Sequence, residues 1–181
     1  MAYPHYQPDF LDAKEAQSLW AFLTSAAVSW EREWFQLFGR RIAVPRRLVW
    51  YGDEGVNYRY TGADHVACGW PMPLKPVHER VCDYAQQRFN YLLVNRYADG
   101  TEHMGWHRDD EKYSEPLIAS LNLGATRRFR IRPDGATASQ SYDLAAGSLL
   151  LMNGHHRHML AKTARPVSER INLTFRCIRA D

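Results

Sequence analysis

Cysteine is scarce in this chain, with three residues in 181. Cys68, Cys82 and Cys177 are odd in number and form no C-x-x-C pair, which argues against a disulfide framework or a zinc knuckle. No apolar run approaches the ~20 residues that cross a bilayer. The start, Met1-Ala-Tyr-Pro-His, lacks the basic and apolar segments of a signal peptide. Internal repeats, low-complexity tracts and linkers are missing too. A large charge of one sign is also missing: at +3 the chain is mildly basic, which permits a polyanionic partner without demanding one. These absences together lead us to expect a soluble, monomeric protein of a reducing compartment, cytoplasmic or, in a eukaryote, nuclear, with no membrane association. A hydrophobic fraction of 45% and an aromatic fraction of 13% call for a folded globule, and the length suits one domain over 1–181.

The first helix is marked by Asp12, a capping residue with Glu15 three positions on, followed by Ala16, Leu19, Trp20 and Leu23 at helical spacing. Pro45 to Gly52 reads as a strand, and Asn57 to Gly62 is aromatic, polar and bounded by glycine. Prolines at 71, 73 and 76 precede a second helix carrying Val77, Val81, Tyr84 and Ala85 on one face. Short strands follow at Tyr91–Tyr97, Met104–His107, Leu117–Leu123, Arg127–Arg132, Ser148–Met152 and Arg170–Ile178, separated by Gly, Asp, Asn and Pro. Helices first and then many short strands predict an α+β fold whose sheet part is a jelly-roll, or double-stranded β-helix.

Two stretches carry chemistry. In Trp106-His107-Arg108-Asp109-Asp110-Glu111, an extended backbone puts His107 and Asp109 on one face, two thirds of the 2-His-1-carboxylate set that holds non-haem Fe(II). In Arg170-Ile171-Asn172-Leu173-Thr174-Phe175-Arg176-Cys177, apolar and polar residues alternate. The polar face of that strand either lies in water or turns inward. Turned inward, its two guanidinium groups require carboxylates, and a small dicarboxylic acid meets that need. Asn95 and Tyr97 share a face of their own strand and offer hydrogen bonds to the same ligand.

His107-x-Asp109, a later histidine and Arg170-x-Asn172-x-Thr174-x-Arg176 together resemble the AlkB family of Fe(II)- and 2-oxoglutarate-dependent nucleic-acid demethylases. The likeness runs from about Phe35 to the C-terminus. It implies a jelly-roll core over 90–181 and a nucleotide-recognition lid and finger over 35–65. By that resemblance, His107, Asp109 and His158 hold Fe(II), with His155 the second choice for the third ligand. Asn95, Tyr97, Arg170, Asn172, Thr174 and Arg176 hold 2-oxoglutarate, and O2 is the oxidant. Gln36-Leu37-Phe38-Gly39-Arg40 is similar to the branch that repairs duplex DNA, with Phe38 as a wedge entering the base stack. Tyr58, Tyr60 and Thr61 match the family's lid, so that Tyr60 and His107 would sandwich a flipped base. Asp110 and Glu111 would read its edge, and the arginine clusters at 40–41, 46–47 and 127–132 would touch phosphates. The implied activity is oxidative demethylation of N-alkylated bases such as 1-methyladenine and 3-methylcytosine in DNA or RNA, releasing formaldehyde, succinate and CO2. Rival readings are a 2-oxoglutarate-dependent hydroxylase of protein or small molecules, and a non-enzymatic jelly-roll that binds sugar or nucleic acid.

Overall fold

Asp12 starts the first helix as its sequence dictates. Its carboxylate accepts from the Glu15 backbone N–H at 2.8 Å, and the Asp12 N–H donates back to the Glu15 side chain at 2.9 Å, a reciprocal capping box. This computed structural model describes residues 3–37, 39–44, 46–60 and 62–179. Helix α1 (Ala13–Thr24) buries Leu19 and Leu23, and α2 (Lys75–Ala85) buries Val77, Val81 and Ala85. Both pack on one face of a six-stranded sheet, against Leu92, Val94, Leu121, Leu149, Leu173 and Phe175. Among the described residues, no helix is long and apolar enough to cross a membrane.

That sheet runs β1 (His5–Gln7), β12 (Leu149–Asn153), β9 (Leu117–Gly124), β14 (Arg170–Arg176), β7 (Tyr91–Tyr97), β4 (Arg47–Gly52), with each neighbouring pair antiparallel. Its two edge strands come from outside 90–181. A four-stranded sheet, β11 (Gln140–Leu144), β10 (Arg127–Arg132), β13 (Arg157–Leu160), β8 (Met104–His107), lies on the opposite face. Tyr97, Ile118, Leu150 and Met152 from the large sheet meet Phe129, Ile131, Leu144 and Leu160 from the small one. Two antiparallel sheets face to face, with helices outside one of them, make a jelly-roll.

β14 is central, and all seven of its residues are buried. Its polar face is therefore not in water. Ile171, Leu173 and Phe175 point at the helices, while Arg170, Asn172, Thr174 and Arg176 point between the sheets into a cavity. The strand ends at Arg176, and Ile178 makes only an isolated bridge with Ser114.

The arginine clusters are not uniformly solvent-facing, which corrects part of their reading as phosphate contacts. Arg127 is 1% exposed and donates to the backbone carbonyls of Asp99, Glu102 and Ala161 at 2.8–2.9 Å. It ties β10 to the loop before β8. Arg46 is buried as well, and its Nε donates to Asn95 Oδ1 at 2.6 Å. Two small hairpins, β2 (Trp34–Leu37) with β3 (Arg40–Ala43) and β5 (Asn57–Tyr60) with β6 (Ala63–Val66), occupy the segment read as finger and lid. Phe38 and Thr61 lie outside the described residues.

Candidate metal and cosubstrate site

Pairing of β13 with β8 sets His158 directly opposite His107, with ring centroids 4.3 Å apart. Each ring is oriented by its own backbone. His107 Nδ1 lies 2.7 Å from the Gly105 carbonyl, and His158 Nδ1 lies 2.8 Å from the His156 carbonyl. A carbonyl can only accept, so each Nδ1 carries the proton and each Nε2 lone pair is left free. Asp109 follows β8 by two residues, and its backbone N–H donates to Gly154 O at 2.9 Å. A Cβ on Gly154 would lie 2.5 Å from Ile118 Cδ1 and 2.9 Å from Asp109 O, so only glycine permits that approach.

The Asp109 carboxylate consequently reaches both rings, with Oδ1 3.6 Å from His107 Nε2 and Oδ2 3.5 Å from His158 Nε2. The three ligand atoms lie within 4.8 Å of one another. Burial opposes ionisation of Asp109, but Arg176 and the two histidines outweigh it and hold the carboxyl well below its ordinary range. Burial and the neighbouring His158 push His107 down, which favours the neutral imidazole. Two imidazoles with their Nε2 atoms turned to a common point and one carboxylate suit a divalent transition metal. His155 sits exposed in the turn between β12 and β13, away from that point.

The polar face of β14 continues from there. Arg176 Nη2 donates to Asp109 Oδ2 at 2.6 Å, leaving its buried Nε and Nη1 without a partner. Asn172 stands between Asn95 on β7 and Asn122 on β9. Asn172 donates to Ser120 Oγ at 2.8 Å and accepts from Thr174 Oγ1 at 2.8 Å. Arg170 pairs in register with Tyr97 and sits 5.4 Å over its ring. One of its nitrogens donates to Asn122 Oδ1, and its buried Nε has no partner. Burial depresses Arg170 to about 10. Unsatisfied guanidinium N–H groups on a buried wall fit an anionic ligand.

These groups share a cavity of about 690 Å³ with Tyr58, Tyr60 and Glu111. Tyr58 and Tyr60 stack at 5.1 Å, and burial pushes both phenols far upward. Burial raises Glu111, and one of its oxygens has no partner. Asp110, by contrast, is exposed and outside the lining. Tyr60 and His107 line one cavity, but a Tyr60 face is stacked on His65 at 4.3 Å. Glu33 and Ser120 also line it and were missed, and Arg46, read as a phosphate contact, lines it too. Ser120 and Asn122 alternate with apolar residues along β9 much as the polar residues of β14 do, a signal present in the sequence. Glu33 carries no such local signal.

The sequence matches the profile of a family described as the 2OG-Fe(II) oxygenase superfamily over residues 5–176. A Mus musculus protein named DNA oxidative demethylase ALKBH2 is 41% identical over 157 residues, covering 79% of this chain and 66% of that protein. Its Homo sapiens counterpart is 38% identical, with 79% and 60% covered. A Mus musculus alpha-ketoglutarate-dependent dioxygenase alkB homolog 3 is 33% identical over 194 residues, with 96% and 65% covered. The chain thus spans slightly less than two thirds of the length of these relatives. A solved structure titled "The structure of OsALKBH1" superposes with a TM-score of 0.66 at 14% identity, covering 98% of both chains, a likeness of fold. A profile match along nearly the whole sequence, on a jelly-roll of the matching architecture, shows that this chain belongs to the 2OG-Fe(II) oxygenase superfamily, among its AlkB-type dioxygenases.

Proposed function

We propose that this protein is an oxidative demethylase of N-alkylated bases in nucleic acid, with methylated DNA as its main substrate. The observation that carries the proposal is the composition of one cavity. One end holds His107, Asp109 and His158 beside buried, unpartnered guanidinium donors, and the same cavity presents stacked tyrosines and a carboxylate. Names borne by the relatives supply the substrate class.

In this reading His107, Asp109 and His158 hold Fe(II). Arg170, Tyr97, Asn172, Thr174, Asn95 and the free N–H groups of Arg176 hold 2-oxoglutarate. Fe(II), O2 and 2-oxoglutarate when bound supply the oxidation: one oxygen atom enters the N-methyl group, which leaves as formaldehyde, and the other enters succinate as CO2 departs. The chain's own work is placement. The two backbone carbonyls fix the imidazole tautomers, and Arg176 fixes the Asp109 carboxylate. Tyr58 and Tyr60, neutral because burial raises their phenols, give an apolar stacking wall that excludes water. Glu111 offers acceptors to a base edge and complements a base made cationic by N-methylation. Phe38 acts as the wedge that fills the gap a flipped base leaves.

Incubation with an oligonucleotide bearing 1-methyladenine, Fe(II) and 2-oxoglutarate should restore adenine and release formaldehyde in equal amounts. Turnover of 2-oxoglutarate with neither product would transfer the activity to another substrate class. A Phe38→Ala variant should lose more activity on a methylated duplex than on the same lesion in a single strand, because only the duplex has stacking to recover. Equal losses would remove the wedge.

A further inference from the structure

Glu33 belongs to neither the metal triad nor the cosubstrate wall, and its carboxylate is fully engaged at the cavity's edge. Tyr60 Oη donates to Glu33 Oε2 at 3.0 Å, and Glu33 Oε1 is in hydrogen-bond contact with His65 Nε2. His65, on β6 directly opposite Tyr58, is 2% exposed. Its Nδ1 lies 3.1 Å from the Tyr58 carbonyl. Its ring stacks on Tyr60 at 4.3 Å and 23°, and meets Trp50 edge-on at 4.7 Å. Tyr60 is therefore held at its hydroxyl by Glu33 and at one ring face by His65.

Glu33 is half-buried, and a carboxylate partly withdrawn from water is held best when each oxygen is matched. Here both are matched by groups that act on the same tyrosine, one directly and one through the imidazole. A phenylalanine at 60 would supply the ring surface but could not be held by its edge. The proton inventory is also specific. The Tyr58 carbonyl only accepts, so His65 Nδ1 carries a proton, and the Glu33 carboxylate only accepts as well. His65 thus meets Glu33 through its remaining ring nitrogen, Nε2.

We infer that Glu33 and His65 are positioning residues for Tyr60, fixing the aromatic wall against which the substrate base stacks; the inference rests on the demethylase reading. Glu33→Ala removes both contacts. Glu33→Gln keeps them: its amide oxygen accepts from Tyr60, and its amide N–H donates to a neutral His65 Nε2. Tyr60→Phe removes the hydroxyl bond alone.

Steady-state kinetics on a methylated oligonucleotide and on 2-oxoglutarate test this. Glu33→Ala should raise the oligonucleotide KM about tenfold, with a smaller change in kcat and less than a twofold change in the 2-oxoglutarate KM. Glu33→Gln should recover most of that loss, and Tyr60→Phe should raise the oligonucleotide KM about threefold. A purely architectural tether would not separate the two KM values or be rescued by glutamine. If Glu33→Ala does not fold, the comparison of Tyr60→Phe and Glu33→Gln with wild type decides. An oligonucleotide KM unchanged in Glu33→Ala or Tyr60→Phe overturns the inference, as does a Glu33→Gln variant as impaired as Glu33→Ala. Wild-type protein that leaves the methylated base intact overturns the demethylase reading itself, a result visible before any variant is made.

Discussion

Replacing Arg170 with methionine should stabilise the ligand-free protein while abolishing most of its affinity for 2-oxoglutarate. Arg170 is 2% exposed, its Nε is unpartnered, and no salt bridge reaches it among the described residues. Burial lowers it from 12.5 to about 10, with Tyr97 opposing the shift and Arg127 adding to it. At 1.36 kcal/mol per pKa unit, that depression corresponds to roughly 3 kcal/mol of disfavoured charge. The sign follows directly. A folded-state pKa below the unfolded one gives stability present only above the unfolded value, so at neutral pH the group is a net cost. Methionine fills similar space without charge, as in other replacements of buried ions by apolar residues. With cosubstrate bound, the balance reverses, because truncating one partner of a buried charge pair loses about 2–5 kcal/mol, or roughly 30- to 5,000-fold in Kd. Thermal unfolding with and without 2-oxoglutarate and a redox-inert metal reads both effects. Wild type at 100 times Kd should gain about 2.7 kcal/mol, and Arg170→Met at the same concentration about 0.9 kcal/mol or less. A variant that keeps the full cosubstrate-dependent gain, or loses several kcal/mol in its absence, refutes the assignment of Arg170 as the carboxylate anchor.

Alanine at His107, Asp109 or His158 should reduce turnover at least about a thousandfold with loss of bound metal, while His155→Ala stays within about twofold; turnover and metal content of the purified variants decide. Arg176→Ala should weaken metal and 2-oxoglutarate together, each by about tenfold or more, because its guanidinium holds Asp109 as well as offering donors to the cosubstrate. Isothermal titration with each ligand separates this from a loss of cosubstrate alone. Stability of the metal-free protein should fall as pH drops below about 4: the Asp109 carboxyl is depressed in the fold, so its contribution exists above the unfolded value and is lost on the way down. Urea midpoints between pH 3 and 6 should slope less in Asp109→Asn.

The parts of this structure that were legible in the sequence are those set by local rules. The capping box at Asp12, the strands Tyr91–Tyr97, Met104–His107 and Arg127–Arg132, and the alternation of β14 all follow from residue order. What β14 faces was not legible, because the small sheet that covers its polar side is assembled from distant strands. β13 was missed for the same reason. Arg157-His158-Met159-Leu160 has no strand periodicity of its own and is extended because β8 and β10 pair with it. That pairing separates His158 from His155, which spacing alone left open. Glu33 and His65 lie 32 positions apart and meet only once the two hairpins are folded.

The arginines show why charge clusters misread at sequence level become informative once burial is known. Among the described residues, four guanidinium groups are buried, at 46, 127, 170 and 176. The fold meets three of them by different means. Arg127 is surrounded by backbone carbonyls, Arg176 has the Asp109 carboxylate, and Arg46 has Asn95 with the Glu33 charge nearby. Arg170 has an amide oxygen and an aromatic face, and no anion. A fully buried cation with so little compensation persists only where something outside the chain completes it. Its place on the central strand, on the same face as Asn172, Thr174 and Arg176, puts that missing anion in the same cavity as the metal ligands. Electrostatic incompleteness at one residue therefore supports the proposed cosubstrate position independently of the motif in which that residue stands.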